Sequence, residues 1–463
     1  MNLKIRKRIM LLMAASIAVS MIIGCGRQTE VSDGNSQTGI QPEGEREEAI
    51  SSDQSADQDT FYIYASNKTF EERLQYVYKK YPDMKKRIKL VCIEEPEKYR
   101  KKLEQLLQTP EAEDYPDMVV LDADTIREDA CGDNLLSIAD CGLTDEDSAQ
   151  MYPYTLELAT DQKTGDVMGL SWQICPGAFV YRADLAETYL GVFSPEEMQE
   201  RVATWDSFLQ TAQEIKNASE DGTRILSSCQ DITEVFAVNK SLPWVDDTDV
   251  FSIDDTMLTY MEVYKILYTE ELTQNSEKGS EEWKVGAYKD TVFGYFGGAN
   301  FLQYVLKPYC GGETVGEGTY GLWNICQGPG AYYDGGSWLC ATTGCEDPEF
   351  AGSIMKALCC DTEILSDIAE GTGDLVNHKA VMQSLSDEGK GSYDLLGGQS
   401  YYALLMSLAE RINVSTVTSY DTRIKELLLL QTQAYAQGEK NQEETITDFK
   451  ASVSEAFPSL QVE

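Results

Sequence analysis

Short apolar strands alternate with amphipathic helices from Phe61 onward, and this alternation limits the fold more than any other feature. Three segments are typical of strands: FYIYAS (61–66), IKLVCI (88–93) and PDMVVLDAD (116–124). The helix predicted after the first strand places apolar side chains at helical spacing. Strands that are joined through helices pair in parallel, so the sequence predicts an α/β sheet. A chain of 463 residues is long enough for roughly two or three such units.

Ligands of α/β sheets bind beyond the carboxyl ends of the strands. Tyr64 and Asn67 stand at the end of the first predicted strand, and Asp122 and Asp124 stand at the end of the third. We therefore expect these four residues to border a ligand cleft.

The N-terminal segment has the pattern of an export signal. A basic start is followed by an apolar run over residues 9–23, which is too short to span a membrane comfortably. The run ends in Ile22-Ile23-Gly24-Cys25, which resembles the lipobox of bacterial lipoproteins. That resemblance implies a signal peptide over residues 1–24 and a lipid on the sulfur of Cys25. The alternative is an ordinary signal peptide with a chance cysteine.

Residues 25–60 are polar and acidic, with too few apolar side chains for a core, and they predict a flexible tether. The whole chain has a net charge of −40. Such a chain lacks the basic surface that binds nucleic acid, and anionic lipid repels it. A lipid on Cys25 would explain how it stays at a membrane.

The twelve cysteines do not have the spacing of a metal site, because no C-x-x-C is present. Without Cys25 they number eleven, which excludes complete pairing within one chain. We interpret most of them as small buried hydrophobic residues. A disulfide between Cys340 and Cys345 remains an alternative. The sequence predicts neither a metal nor a cofactor.

After residue 194 the pattern becomes more helical. Ser194-Pro195-Glu196-Glu197 has the layout of a capping box with proline at the first helical position. Later helical segments are TWDSFLQTAQEIKNA, TMLTYMEVYKILYTEEL and TRIKELLLLQTQAYAQG. Residues 293–338 between them are rich in glycine and aromatic side chains.

The sequence matches catalytic motifs only weakly, and we predict no catalytic residue. His378 is the one histidine, and no G-x-S-x-G nucleophile motif accompanies it. GEGTYG (316–321) matches a phosphate-loop spacing, but no apolar strand precedes it. With 78 acidic residues, the carboxylate pair of a glycosidase cannot be selected by spacing. An anchored surface glycosidase and a lipoprotein adhesin therefore remain alternatives.

Several segments, in order, resemble the bacterial extracellular solute-binding proteins of ABC importers, family 1. They are YPDMKKRIKLVCI with the strand PDMVVLDAD, GAFVYRADLAETYLG, TWDSFLQTAQEIK and GPGAYYDGGSWLCATTGCEDPEF. The resemblance extends from Phe61 to Leu460. It departs from the family where Asp334-Gly335-Gly336 replaces a usual W-G-G, and where DTVFGYFGGANFLQYV replaces an F-x-x-GKAAM element.

The resemblance implies a two-lobe, periplasmic-binding-protein-like (type II) α/β fold with a hinge and a ligand cleft between the lobes. Lobe 1 would comprise residues 61–170 and 337–390, and lobe 2 residues 171–336 and 391–463. The implied function is capture of a small solute, an oligosaccharide, for an ABC permease, without chemistry. The protein would be a monomer on the extracellular face of the bacterial membrane.

Sugar rings stack on aromatic side chains, and their hydroxyl groups form hydrogen bonds with carboxylates. Trp172 and Trp338 fall near the two predicted lobe crossings, which makes them the leading candidates for ligand contact. The alternative for each is core packing or a plug at the hinge. Further candidates near the second crossing and in the glycine-rich segment are Tyr332, Asp334 and Phe296. Trp244 and Trp323 are additional possibilities.

Overall fold

Two five-stranded sheets organise the residues that the structure describes, 60–462, in a computed structural model of the chain. The predicted signal peptide, the lipid attachment at Cys25 and nearly all of the predicted tether lie outside these residues.

The first sheet has the strand order β2-β1-β3-β11-β4. Strand β1 pairs in parallel with both β2 and β3, which confirms the predicted parallel pairing. Strand β11 lies antiparallel between β3 and β4. The strands are β1 (Phe61–Ala65), β2 (Ile88–Cys92), β3 (Met118–Asp122), β4 (Leu170–Ser171) and β11 (Ser337–Ala341).

Helices pack around this sheet, and the longer ones bury an apolar face. In the first helix, Phe70, Leu74 and Val77 are fully buried, as their spacing predicts. The helices on this side are α1 (Lys68–Lys80), α2 (Met84–Arg87), α3 (Pro96–Leu107), α4 (Ile126–Ala130), α5 (Asp145–Ser148), α6 (Pro153–Leu158), α15 (Pro348–Cys359), α16 (Thr362–Thr372) and α17 (Lys379–Asp387). We refer to the first sheet and these helices as the first-sheet side.

The second sheet has the order β10-β5-β8-β6, and β9 also pairs with β5. All seven residues of β5 are buried, because elements cover both faces of the sheet. The strands are β5 (Pro176–Arg182), β6 (Arg224–Leu226), β8 (Val292–Gly297), β9 (Trp323–Cys326) and β10 (Tyr332–Tyr333). A separate two-stranded sheet pairs β7 (Val250–Phe251) with β12 (Gln461–Val462).

On the second-sheet side, half of the predicted capping box forms: Ser194 accepts a hydrogen bond from the Glu197 N–H and Pro195 begins the next helix, but the Glu197 carboxylate accepts from the Phe193 N–H instead of the Ser194 N–H. The helices on this side are α7 (Ala183–Leu190), α8 (Pro195–Val202), α9 (Trp205–Ala218), α10 (Thr233–Val238), α11 (Asp255–Thr269), α12 (Glu281–Val285), α13 (Ala299–Phe301), α14 (Lys307–Tyr309), α18 (Tyr402–Ala409), α19 (Asp421–Ala436) and α20 (Gln442–Ala456). Short non-α helical segments are Cys229–Ile232, Leu302–Leu306 and Asp394–Leu396.

The chain passes between the two sheets at residues 172–175, 334–336 and 388–401. Gly336 has φ +132°, and a Cβ there would lie 2.8 Å from the ring of Trp338. Only glycine fits this crossing without strain. The lobe boundaries given above stay a prediction.

None of the helices between residues 60 and 462 has both the length and the apolar character that a membrane span requires. The eleven cysteines there are free thiols, so a Cys340–Cys345 disulfide is not formed. His378 accepts a hydrogen bond from the Val381 N–H and thereby caps helix α17.

Candidate functional site

A small chamber lies between the two sides of the molecule, where the carboxyl end of β3 faces helices α10 and α19. Its volume is about 20 Å³. We name it the inner chamber. Its charged and aromatic lining consists of Asp124, Arg127 and Glu128 from the first-sheet side and Glu234, Trp244, Tyr333, Asp421 and Lys425 from the second.

The inner chamber adjoins a larger cavity of about 690 Å³, which we name the vestibule. The two share Glu128, Thr418 and Ser419. The vestibule is also bounded from both sides, by Cys131, Gln162 and Lys163 on one and by Pro243, Val245, Asp246, Asp247, Asp249, Ser415, Tyr420 and Phe457 on the other. Its size is within the range of small-molecule sites, about 300–1,000 Å³.

Lys425 of α19 links the two sides at the inner chamber. Its Nζ lies 2.6 Å from a Glu234 oxygen and 3.1 Å from an Asp124 oxygen. Burial lowers the pKa of Lys425, but the two carboxylates outweigh burial and hold the pKa above its ordinary value. The ammonium is therefore charged throughout the physiological pH range.

Lys240 forms a second ion pair, with Asp421 at the start of α19. The same carboxylate accepts hydrogen bonds from the Thr418 N–H and hydroxyl, at 3.0 and 2.8 Å. The Lys240 ammonium also lies over the ring of Trp244, 4.8 Å from its centroid. Both oxygens of Asp421 are thus engaged.

Arg127 is the second cation that lines the inner chamber, and it forms no ion pair among residues 60–462. Its side chain is 5% exposed. Nη1 donates to the Thr160 carbonyl at 2.9 Å, whereas Nε is buried without a partner in the described chain. Burial lowers its pKa from the ordinary value. The charges of Glu157 and Asp421 offset burial only in part. A desolvated guanidinium without a direct ion pair is unusual, because buried charges are generally paired.

Of the residues predicted to bind ligand, Asp124 lines the inner chamber. Asp122 lies beside it and accepts a hydrogen bond from the Asp124 N–H at 3.2 Å. Burial, and then the neighbouring charge of Asp124, raise the pKa of Asp122. Asp122 itself lines neither the inner chamber nor the vestibule, and contact of Asp122 or Asp124 with a ligand stays a prediction.

Tyr64 and Asn67 lie elsewhere. The Tyr64 hydroxyl donates to the backbone carbonyl of Asp114, in the loop that precedes β3, and is thus directed toward the opposite end of that strand. The Asn67 side chain caps helix α1 by accepting from the Phe70 N–H at 3.2 Å. In this conformation each has a structural partner, and neither lines the inner chamber or the vestibule.

Trp172 and Trp338 are each 1% exposed. Trp338 donates through Nε1 to the Thr155 carbonyl at 2.8 Å, whereas Trp172 packs against Phe70 and leaves its Nε1 without a partner in the described chain. Both indoles thus pack beside the crossings, in the interior, and their contact with a ligand stays a prediction.

The remaining three candidates, Phe296, Tyr332 and Asp334, lie near the second crossing. Phe296 packs against Tyr332, with ring centroids 6.2 Å apart. Asp334 accepts from the Gly298 N–H at 3.0 Å, and burial raises its pKa. None of these three side chains lines the inner chamber, whereas the adjacent Tyr333 does.

Sequence reasoning missed Arg127, Glu234, Asp421 and Lys425. Arg127 stands three residues after Asp124, so its closeness to the predicted strand end was a usable signal. The other three lie on helices remote in sequence, and only the fold brings them to the chamber.

Other kinds of site receive less support. Within the described chain, no group of three or more histidine, cysteine, aspartate or glutamate residues is placed to hold a metal ion. A groove of about 430 Å³ lies between α3 and β3, mainly on the first-sheet side, with Thr422 and Glu426 of α19 at its edge.

Solved structures with the same architecture are numerous. An extracellular solute-binding protein of family 1 superposes with a TM-score of 0.73 at 14% identity, over 86% of this chain and 99% of that one. The sugar-binding protein MalE of Xanthomonas citri gives 0.68 at 16% identity, over 86% and 96%. A binding protein of Bifidobacterium animalis subsp. lactis, solved with β-1,6-galactobiose, gives 0.63 at 16%, over 88% and 99%. These similarities show the fold of periplasmic solute-binding proteins.

The sequence leads to the same class. The model of the family "bacterial extracellular solute-binding protein" matches residues 77–388. This chain therefore belongs to the bacterial extracellular solute-binding proteins, a family of binding proteins rather than enzymes. No curated protein matches the chain in sequence.

Proposed function

We propose that this protein captures an oligosaccharide between its two sheets and delivers it to the permease of an ABC importer. The observation that carries the proposal is a pair of adjoining cavities, each lined from both sides of the molecule. A solute bound there contacts both sides at once, so its binding energy favours the closed arrangement over an open one.

The vestibule suits a saccharide. Asp247, Asp249 and Gln162 offer acceptors for sugar hydroxyl groups, and Tyr420 and Phe457 offer apolar ring faces. Neighbours in the same fold include proteins solved with β-1,6-galactobiose and with lacto-N-biose, which supports the saccharide class. In this proposal the lobes are residues 61–170 with 337–390 and 171–336 with 391–463, and Asp124 contacts the solute.

The proposal includes anchoring on the extracellular face of the cell membrane through a lipid on Cys25. An anchored binder works at a high effective concentration near its permease. Replacing Cys25 with serine removes the thioether, so the variant should leave the membrane fraction and enter the medium. Unchanged fractionation would contradict the anchor without affecting the binding function.

A melting-shift screen of the full chain in mild detergent tests the binding function. A library of neutral and acidic di- to tetrasaccharides is compared with peptides and polyamines. We expect at least one saccharide to raise the melting temperature with 1:1 stoichiometry. Stabilisation by peptides or polyamines alone would overturn the saccharide class, and turnover of a stabilising compound would overturn the binding-protein function.

A further inference from the structure

Two hydrogen-bond donors at the inner chamber, one from each side of the molecule, have no acceptor. They are Nε of Arg127 and Nε1 of Trp244, both fully buried and both without a partner in the described chain. The side chains are 5% and 2% exposed. Buried polar atoms are hydrogen-bonded in the great majority of cases. Two unsatisfied donors around one chamber therefore point to a ligand group that accepts hydrogen bonds.

Three carboxylates of the chamber lining already hold a cation. Lys425 engages Asp124 and Glu234. Asp421 receives Lys240 on one oxygen and Thr418 on the other. Among the lining residues, the buried side-chain atoms without a hydrogen-bond partner in the described chain are both donors.

The remaining carboxylate of the lining does not compensate Arg127. Glu128 is directed to the exterior, where its side chain is 58% exposed and lies 3.4 Å from Arg100. Arg127 instead contacts the neutral carbonyl of Thr160. A buried cation costs free energy unless an anion accompanies it, and an arginine binds a carboxylate with strong charge-assisted hydrogen bonds.

The two cavities differ in size and therefore suit different parts of one ligand. The inner chamber, about 20 Å³, has room for one small polar group, because a water molecule needs about 10–15 Å³ by the same measure. The vestibule, about 690 Å³, has room for sugar rings. Its exposed carboxylates, Asp247 and Asp249, can accept hydrogen bonds from hydroxyl groups.

We infer that the solute is an acidic saccharide whose carboxylate occupies the inner chamber on Arg127 and Trp244, with its hydroxyl-bearing rings in the vestibule. This inference rests on the proposed function and names its substrate class. Arg127 supplies the charge from the first-sheet side, and Trp244 supplies a neutral donor from the second. Because the donors come from opposite sides, the carboxylate is held fully when the two sides are together.

The test uses matched probes and the full chain in mild detergent. Di- and trisaccharides of glucuronate, galacturonate and mannuronate are each paired with the neutral hexose oligomer of the same linkage, and binding is measured by calorimetry. We expect at least one acidic member to bind about tenfold or more tightly than its neutral partner, which corresponds to about 1.4 kcal/mol.

Three variants assign the preference to residues. Arg127→Gln should reduce the affinity for the acidic probe about tenfold or more and leave that for its neutral partner nearly unchanged. Trp244→Phe keeps a ring but removes the N–H, so it should weaken acidic binding several-fold. Arg201→Gln, which removes a surface arginine paired with Glu214, should change neither.

The outcomes separate this inference from the proposed function. Neutral and acidic probes that bind equally, or a preference that survives in both Arg127→Gln and Trp244→Phe, would overturn the acidic class and keep the oligosaccharide receptor. Failure of every saccharide would overturn both. If Arg127→Gln does not fold, the acidic class is judged from Trp244→Phe and from the preference of the wild type for acidic over neutral probes.

Discussion

Lys425 lies between Glu234 and Asp124, 2.6 and 3.1 Å from their carboxylates, and so connects helix α19 to the loop after β3. One turn earlier, the Thr422 hydroxyl donates to the Asp124 carbonyl at 2.6 Å. Two contacts from a single helical face therefore hold the first-sheet side against the second. They lie at the edge of the inner chamber, where a solute would be enclosed.

Lys425→Met should loosen this contact. The substitution leaves Glu234 and Asp124 without their cation, and the loss of charged hydrogen bonds costs about 2 kcal/mol. We expect a lower free energy of unfolding in urea and, in small-angle X-ray scattering without ligand, a larger radius of gyration.

Arg423→Met provides the control on the same helix. Arg423 pairs with Glu426 at the surface, where both side chains are 56% exposed. An exposed pair of this kind contributes less than about 1 kcal/mol. If Lys425→Met changed neither stability nor dimensions more than Arg423→Met does, Lys425 would not be a link between the two sides.

The two buried tryptophans beside the crossings should respond differently to loss of the indole N–H. Trp338→Phe leaves the Thr155 carbonyl without its donor, whereas Trp172→Phe removes an N–H that has no partner in the described chain. Both side chains are equally buried, so the cavities left by truncation are comparable. We expect Trp338→Phe to be more destabilising by about 1–2 kcal/mol in urea unfolding. Equal effects would show that the Trp338 hydrogen bond contributes little.

The sequence revealed the local architecture because local patterns encode it. The strand segments that form β1, β2 and β3 and the buried face of α1 follow from periodicities of two and 3.6 residues. The same patterns identify a buried side without identifying what covers it. For that reason the sequence does not distinguish ligand contact from core packing for Trp172 and Trp338, both of which are buried in the structure.

The inner chamber was harder to predict, because its charges come from distant parts of the chain. Asp124 and Lys425 are 301 residues apart, and Glu234 and Lys425 are 191 apart. Neither separation leaves a trace in local periodicity. With 78 acidic residues in the chain, no single carboxylate is distinguished by sequence alone.

Asp231 should give the protein a pH-dependent stability. Burial raises its pKa to about 6, although Trp283 Nε1 donates to it at 2.9 Å. The folded state therefore binds more protons than the unfolded state between about pH 4 and pH 6, and stability falls as pH rises through that window.

Asp231→Asn removes this titration. From pH 4.5 to pH 7.5, the free energy of unfolding of the variant minus that of the wild type should increase by about 2 kcal/mol. Urea unfolding at both pH values measures the difference and cancels the other titrating groups. A constant difference would contradict the raised pKa.

Thiol titration checks the cysteine assignment. The Cys25→Ser protein should show eleven reactive thiols in denaturant without reductant, because the eleven cysteines between residues 60 and 462 are free. In the folded protein at most three should react readily, the half-buried Cys92, Cys131 and Cys360. A lower total in denaturant would reveal a disulfide.

Hydrogen exchange with and without a bound saccharide tests the central claim most directly. The full chain is compared alone and with the saccharide that raises its melting temperature most. The account predicts slower amide exchange on both sides of the inner chamber and vestibule, at residues 122–131, 234–249 and 415–425. If no saccharide binds, or if protection is confined to the groove between α3 and β3, the result contradicts capture between the two sheets.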